Sequence, residues 1–254
     1  PDELWINNEV LVQLNVTAKC PLNCEFCYIK QKYGNEDLSF YKILKLWNNL
    51  KKYYDEYGIT YRVNITGGDI FYYPELEKLL YFLKDNDSVT AVDPLLNTFW
   101  NEEHKRLLNI VIDKITYIEF NVLLVKDSDI EYAYDNTKWV VLKYPLYKGN
   151  TKKMLYKVVN LMKKWENVIL AFDWIIPQSK EFVEYTYIKD IKGGVEEAKR
   201  VIEILEREGL KDRVLPLFCI VEREVFGRTY LCGVGIQNIY VMPDGKIVPC
   251  SRYP

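Results

Sequence analysis

The order of hydrophobic patterns along the chain limits the folds that it can adopt. Short runs rich in β-branched residues alternate with amphipathic segments in which apolar residues recur at helical spacing. This alternation predicts parallel strands covered by helices, in an open sheet or a barrel. With 254 residues, the chain can form one large α/β domain with a small appendage, but not two independent enzymes.

The same patterns assign the individual elements. Predicted strands cover residues 9–17, 61–66, 89–98, 116–125, 139–146 and 168–176, and predicted helices cover residues 39–57, 74–84, 102–112, 151–165 and 195–208. From residue 214 the pattern changes to strands at 214–221, 237–242 and 246–248, the last two joined by a Pro243-Asp244-Gly245 turn. We therefore expect a small β-hairpin after the α/β domain.

Charge and hydropathy exclude some classes of partner. The 34 basic residues nearly balance 36 acidic ones, and no long basic run offers a surface for duplex nucleic acid. No apolar stretch approaches the roughly 20 residues that span a bilayer, and no signal-peptide pattern opens the chain. We expect a cytoplasmic protein that binds neither nucleic acid nor a membrane.

One face of several predicted strands is polar, although parallel strands covered by helices should be apolar throughout. The polar positions are Gln13, Asn15, Arg62, Asn64, Thr66, Asn97, Glu119, Asn121, Lys143 and Asp173. If the strands curl into a barrel, these side chains converge on its lumen, where burial is costly unless they meet one another, water or a ligand. The pattern favours a binding site in the lumen over the alternative, a half-exposed sheet edge.

The first group of cysteines directly follows the first predicted strand. Cys20, Cys24 and Cys27 have the spacing Cys-x3-Cys-x2-Cys, and the only histidine, His104, lies far away in a charged helical stretch. A structural zinc site needs four ligands, so zinc is the less favoured alternative. Three thiolates can instead hold a cubic 4Fe–4S cluster and leave one iron open for a substrate or cofactor.

This motif resembles that of the radical S-adenosylmethionine enzymes, which carry it after the first strand of a partial (β/α)6 barrel. The resemblance implies that S-adenosylmethionine chelates the open iron and that Phe26 lies near its adenine. The predicted second strand runs into Gly67-Gly68-Asp69, which is similar to the family's Gly-Gly-Glu motif. In the family that backbone meets the methionine amino group, and glycine permits its close approach. Asp69 departs from the usual Glu.

The resemblance also implies roles for the polar strand positions. Glu119 and Asn121 match positions near the ribose in relatives, and we expect both, together with Asn97, to contact S-adenosylmethionine. Lys143 and Asp173 lie farther along the chain, which makes them candidates for the catalytic or substrate-binding residues. Alternatively, their opposite charges pair with each other.

The second group of cysteines lies in the predicted hairpin region. Cys232 and Cys250 bracket a pattern that resembles the opening half of the SPASM or twitch extension, which holds auxiliary iron–sulfur clusters in many relatives. Cys219 is a candidate third ligand or a small buried hydrophobe. We expect a partial barrel at residues 1–213 and an incomplete SPASM-like extension at residues 214–254.

Together these features imply a radical S-adenosylmethionine enzyme whose 5'-deoxyadenosyl radical abstracts hydrogen from a peptide or protein side chain. Ferredoxin or flavodoxin is the expected reductant. The alternatives are a radical enzyme acting on a small molecule or tetrapyrrole, and a non-catalytic iron–sulfur electron carrier.

Overall fold

A computed structural model describes residues 9–22, 24, 27–146, 148, 152–174, 190–215 and 238–250. The chain divides into two compact units. The first is formed by Pro1–Asn23, Ile29–Thr116 and Gly233–Pro254, and the second by Cys24–Tyr28 and Tyr117–Cys232.

Strands and helices alternate along most of the chain, as the hydrophobic pattern predicts. The strands are β1 (Glu9–Thr17), β2 (Thr60–Gly67), β3 (Val89–Leu96), β4 (Tyr117–Asn121), β5 (Trp139–Leu146), β6 (Val168–Trp174), β7 (Val214–Leu215), β8 (Asn238–Val241) and β9 (Ile247–Val248). The α-helices are α1 (Tyr28–Tyr33), α2 (Phe40–Tyr54), α3 (Leu76–Lys84), α4 (Glu102–Asn109), α5 (Asp127–Asn136), α6 (Lys152–Lys164) and α7 (Ile191–Arg207).

Each unit contains a mostly parallel sheet. In the first unit β1 pairs in parallel with both β2 and β8, β2 pairs in parallel with β3, and β9 is antiparallel to β8. In the second unit β4, β5, β6 and β7 pair in that order, all parallel. Because parallel strands end at the same edge, the residues that follow their C-terminal ends are brought together within each sheet.

Several predicted boundaries differ from those observed. The helix predicted from residue 74 begins at Leu76, after a turn at Pro74 and Glu75. The fourth strand ends at Asn121 rather than 125, because the Asn121 side chain accepts a hydrogen bond from Leu123 N in the following turn. Helices α1 and α5 were not predicted. In α5 the only buried apolar residues are Ile130 and Ala133, which leaves a weak helical pattern.

The predicted C-terminal hairpin is confirmed in the described residues. Its turn contains Gly245 at φ 82°, a left-handed conformation that favours glycine. The hairpin is not a separate appendage, because β8 pairs with β1 and extends the first sheet. The buried Asn15 side chain donates a hydrogen bond to Val241 O at 3.0 Å, which fixes the hairpin to β1. Asn15 therefore meets a protein partner, as buried polar groups usually do.

A second polar cluster stabilises the N-terminal end of the first sheet. The Arg62 guanidinium contacts Glu9 at 3.1 Å and Asp93 at 2.6 Å. Asp93 is fully buried and also accepts hydrogen bonds from Thr116 N at 3.0 Å and Thr116 Oγ1 at 2.7 Å. Arg62, one of the polar strand positions, thus belongs to an internal ion network at the end of β2 opposite the Gly-Gly-Asp motif.

Candidate functional site

The Gly-Gly-Asp motif packs directly against the backbone that precedes the first cysteine. Gly68 N donates to Thr17 O at 2.7 Å, and Asp69 N donates to Lys19 O at 2.9 Å. A Cβ atom on Gly67 would collide with Thr17 O, and one on Gly68 would collide with Lys19 O. Gly67 also has φ 138°, which side chains rarely tolerate. Glycine is required here because two backbone segments cross in close contact.

The Asp69 side chain organises the residues around this crossing. It is buried, and its Oδ1 accepts from Phe71 N at 3.1 Å, which caps a short 3₁₀ helix at Ile70–Tyr72. Its Oδ2 accepts from Trp100 Nε1 at 2.6 Å and from Asn97 Nδ2 at 3.4 Å. The carboxylate therefore connects the loop after β2 with the residues that follow β3.

Asn97 lies where the structure brings three of the predicted site residues together. Its Nδ2 is 3.4 Å from Gly68 O, 3.4 Å from Asp69 Oδ2 and 3.8 Å from Cys20 Sγ. These contacts join the C-terminal ends of β1, β2 and β3. Asn97, Gly68, Asp69 and Cys20 thus form one polar cluster at this edge of the first sheet.

Trp100 and His104 lie beside this cluster, and the sequence pattern did not predict either of them as a site residue. The His104 ring stacks on Phe71 with centroids 3.8 Å apart, and its Nδ1 accepts from Trp100 N at 3.3 Å. Burial lowers the pKa of His104, and nearby Asp69 and Glu103 only partly oppose that shift. A neutral imidazole is therefore favoured, which suits an Nδ1 that accepts a hydrogen bond.

In the second unit the predicted polar residues lie between the middle and the C-terminal ends of β4, β5 and β6. Lys143 pairs in register with Asn121, and its Nζ lies 3.5 Å from Glu119 Oε2. Asp173 occupies the end of β6, in register with Pro145. Lys143 is thus paired with Glu119, a partner that the sequence analysis did not propose.

Apolar residues share the strand faces that carry these polar residues. They are Val141, Ile169 and Ala171, and Tyr117, Trp139 and Leu215 pack against them. Glu119 is in register with Val141, and Lys143 with Ala171, so polar and apolar side chains lie side by side on this face. Asn121 and Asp173 lie at the C-terminal ends of their strands, where parallel α/β enzymes place their active sites.

The remaining predicted ligands are placed only in part. Cys24 and Cys27 are half-buried in the second unit, where Cys27 N donates to Cys24 O at 3.0 Å. Cys250 follows β9 and is half-buried, while Phe26, Cys219 and Cys232 lie outside the described residues. In the part of the chain that the structure describes, no three His, Cys, Asp or Glu side chains gather into a metal-binding group. The three-thiol ligand set therefore remains a prediction from the sequence.

The chemistry of the residues present nevertheless fits an iron–sulfur cluster with an open iron. Cys20, Cys24 and Cys27 supply three soft thiolate donors, which leave one iron of a cubic cluster open. Gly67 and Gly68 let the Gly-Gly-Asp loop lie directly on the backbone that leads into Cys20, which holds the first of these donors in place. Among the described residues, no helix combines the length and hydropathy needed to cross a bilayer.

The sequence model of the Radical SAM superfamily matches residues 14–221. The chain belongs to this superfamily. It is a radical S-adenosylmethionine enzyme, and its cofactors are a 4Fe–4S cluster and S-adenosylmethionine. The chain is therefore an enzyme and not the non-catalytic electron carrier considered as the alternative.

Comparison with known proteins confirms the predicted fold class, an α/β fold typical of a partial barrel. An uncharacterized protein of Methanocaldococcus jannaschii is 23% identical, covering 86% of this chain and 83% of its own length. The structure of anSMEcpe with bound AdoMet aligns with a TM-score of 0.66 at 14% identity, over 97% of this chain and 72% of its own.

Two peptide-bound structures share the fold. Streptococcus suis SuiB bound to precursor peptide SuiA aligns with a TM-score of 0.65 at 14% identity, over 96% of this chain but only 60% of SuiB. The structure of anSMEcpe with AdoMet and the Cp18Cys peptide aligns with a TM-score of 0.61 at 14% identity, over 96% of this chain and 74% of its own.

Proposed function

We propose that this radical S-adenosylmethionine enzyme belongs to the SPASM/twitch subgroup and modifies a peptide or protein side chain. The observation that carries the substrate class is that two solved structures sharing the fold over 96% of this chain, SuiB and anSMEcpe, hold peptides. The polar edge of the second sheet supports it, because it offers charged groups to a polar substrate.

The thiolates of Cys20, Cys24 and Cys27 hold the cluster in this proposal. With its cofactors bound and an electron supplied by the reductant, the site would cleave S-adenosylmethionine to methionine and a 5'-deoxyadenosyl radical, which would abstract a hydrogen atom from the substrate. The protein provides the geometry. Backbone contacts from the Gly-Gly-Asp motif fix the segment before Cys20, and Asp69 orients the Asn97 amide beside Gly68 O.

The remaining cofactor contacts come from residues that the sequence assigns. Phe26 lies beside the adenine, and Glu119 and Asn121 contact the ribose. Glu119 also holds the Lys143 ammonium at 3.5 Å. Lys143 and Asp173 bind the substrate at the same edge of the sheet, so the Glu119–Lys143 ion pair connects the cofactor side of the site with the substrate side.

The C-terminal region, residues 214–254, carries the auxiliary cluster in this proposal, beyond the barrel of residues 1–213. Cys232 and Cys250 are its ligands, with Cys219 as the third. Iron analysis of the reconstituted protein is expected to exceed the roughly four atoms of one cubic cluster. A Cys250→Ala variant should return the count to about four. A parent count near four would contradict the auxiliary site.

The radical chemistry is tested by S-adenosylmethionine cleavage. Anaerobically reconstituted protein, reduced with dithionite, should release 5'-deoxyadenosine, and Cys24→Ala should not. Cys250→Ala is the matched control, because it removes a thiol outside the three-cysteine motif and should still cleave. Cleavage at the parent rate by Cys24→Ala would contradict the ligand assignment.

Isotope transfer tests the substrate class. The enzyme is supplied in parallel with a peptide digest and with the small-molecule fraction of the same fully deuterated bacterial cells. Deuterium in 5'-deoxyadenosine from the digest supports a peptide substrate. Deuterium only from the small-molecule fraction would favour a small molecule or tetrapyrrole instead. A flavodoxin or ferredoxin in place of dithionite tests the proposed physiological reductant.

A further inference from the structure

Residues 36–38 run beside the end of β1, on the backbone just before the cysteine motif. Ala18 N donates to Glu36 O at 2.8 Å, and Leu38 N donates to Val16 O at 2.8 Å. Between these bonds, Thr17 and Asp37 form an antiparallel bridge. The short segment therefore behaves as an extra strand that covers the last residues before Cys20.

The Asp37 carboxylate divides its two oxygens between two residues of this backbone. Its Oδ1 accepts from Thr17 Oγ1 at 2.6 Å, and its Oδ2 forms an ion pair with Lys19 Nζ. The Thr17 hydroxyl in turn accepts from Lys19 N at 3.0 Å. One carboxylate thus stabilises the conformation of residues 17–19 and compensates the positive charge of Lys19, the residue next to Cys20.

This contact completes a clamp around the segment. Thr17 O and Lys19 O are held from the other side by Gly68 N and Asp69 N. Thr17 is fully buried, and the Asp37 side chain is only 23% exposed, so water competes weakly for the hydrogen bond between them. Residues beyond the direct ligands commonly orient metal ligands in this way.

We propose that Asp37 is a positioning residue for the 4Fe–4S cluster, acting through Thr17 and Lys19 on the placement and electrostatic surroundings of Cys20. The inference rests on the proposed ligation of the cluster by Cys20 and is independent of the substrate. Its two contacts make separate contributions. The Thr17 contact holds the backbone in place, and the Lys19 contact neutralises a cation next to the ligand.

Two measurements on the reconstituted full chain follow these contributions separately. The first is the rate of iron release to an anaerobic iron chelator. Asp37→Ala is expected to release iron about 10-fold faster than the parent, the low end for loss of a supporting residue. The second is the reduction potential of the cluster, obtained from its electron paramagnetic resonance signal.

Two conservative variants distinguish positioning from general stability. Asp37→Asn keeps an oxygen for Thr17 but leaves the Lys19 cation uncompensated, so the potential should shift positive while iron release stays near the parent rate. Asp37→Glu keeps the charge but displaces the oxygen from Thr17, so iron release should accelerate while the potential changes little. Both variants should fold like the parent, so they decide the question even if Asp37→Ala does not fold.

Two further variants complete the experiment. Glu36→Ala is the matched control, because that neighbour is exposed and contributes its backbone carbonyl; it should match the parent in both measurements. Cys20→Ala should fail to assemble the cluster, and a variant that assembles it normally would overturn the ligand assignment on which the inference rests. If Cys20→Ala fails but Asp37→Glu releases iron at the parent rate, or Asp37→Asn leaves the potential unchanged, the role of Asp37 is overturned.

Discussion

Replacing Asp93 by alanine should strongly destabilise the fold without touching the proposed site. Asp93 lies midway along β3, in register with Asn64, and its carboxylate is fully buried. It contacts the Arg62 guanidinium at 2.6 Å and accepts two hydrogen bonds from Thr116. The variant removes these three contacts and leaves the Arg62 side chain, which is only 13% exposed, beside the gap.

The expected cost follows from the burial of these groups. Breaking a buried ion pair by removing one partner costs about 3–5 kcal/mol, because the remaining charge is left poorly solvated. Glu9 at 3.1 Å and the Thr116 hydroxyl at 2.6 Å still contact the Arg62 guanidinium, which favours the lower half of that range. A loss of about 3 kcal/mol is a large part of the roughly 5–15 kcal/mol that holds a domain folded.

Urea unfolding of the apo-protein, followed by tryptophan fluorescence, measures the effect. With a slope of about 3 kcal/mol per molar, the midpoint should fall by about 1 M. Asp127→Asn is the control. It removes an exposed carboxylate 2.9 Å from Lys164, and such surface pairs contribute about 0–1 kcal/mol.

A triple variant tests the physical reasoning directly. The Glu9 side chain is only 8% exposed and would be left as an unpaired anion if Arg62 and Asp93 alone were replaced. Glu9→Gln with Arg62→Met and Asp93→Leu removes all three charges, so it should be more stable than Asp93→Ala, which leaves the cation poorly compensated. Equal midpoints for Asp93→Ala and Asp127→Asn would refute the importance of the network, and a triple variant less stable than Asp93→Ala would refute the stated cause.

Other residues of the two sheets give further predictions. Gly68→Ala should lose the cluster and fail to bind S-adenosylmethionine, as judged by iron content and equilibrium dialysis, because its Cβ would meet Lys19 O; Gly34→Asn is the control, since Gly34 is exposed and uncrowded and asparagine tolerates its φ of 59°. Asp69→Glu, which restores the family motif, should weaken S-adenosylmethionine binding severalfold, because the longer side chain loses its hydrogen bond from Phe71 N. Lys143→Met should still cleave S-adenosylmethionine while product formation from a peptide falls; product at the parent rate would remove Lys143 from the substrate site. Because burial lowers the pKa of His104, protonation below about pH 6.5 favours the unfolded chain, so His104→Gln should lessen the fall of the urea midpoint between pH 6.5 and 5.

The features that follow from local patterns could be predicted from the sequence. Strands β1 and β5 have the predicted bounds, because alternating β-branched residues specify strands locally. The cysteine spacing and the Gly-Gly pair likewise indicate the family without knowledge of the fold. The contact of Gly67 and Gly68 with Thr17 and Lys19 gives the physical reason for those glycines.

The contacts between distant segments could not be predicted. The role of Asp37 depends on a bridge to Thr17, and a lone aspartate between predicted elements carries no such signal. Trp100 was missed for the same reason, since its indole meets Asp69 only after β2 and β3 have paired. The alternation of polar and apolar residues did indicate polar strand positions. It could not tell which of them stabilise the fold, as Arg62 in β2 does, and which are candidates for the substrate site, as Lys143 in β5 is.

The pairing of β8 with β1 has a consequence for how the protein is made. Asn15 and Val241, which join the two strands, are 226 residues apart in sequence. A ribosome must therefore translate through β8 before residues 11–14 of β1 acquire their second neighbour, and until then this stretch of the β1 edge is open to pairing with another chain. The last residues of β1, which lead into Cys20, are covered much earlier by residues 36–38, so the cluster segment can form before the edge of β1 is closed. The late closing of this edge predicts slow folding dominated by a long-range contact, and a dependence of soluble yield on chaperones during synthesis.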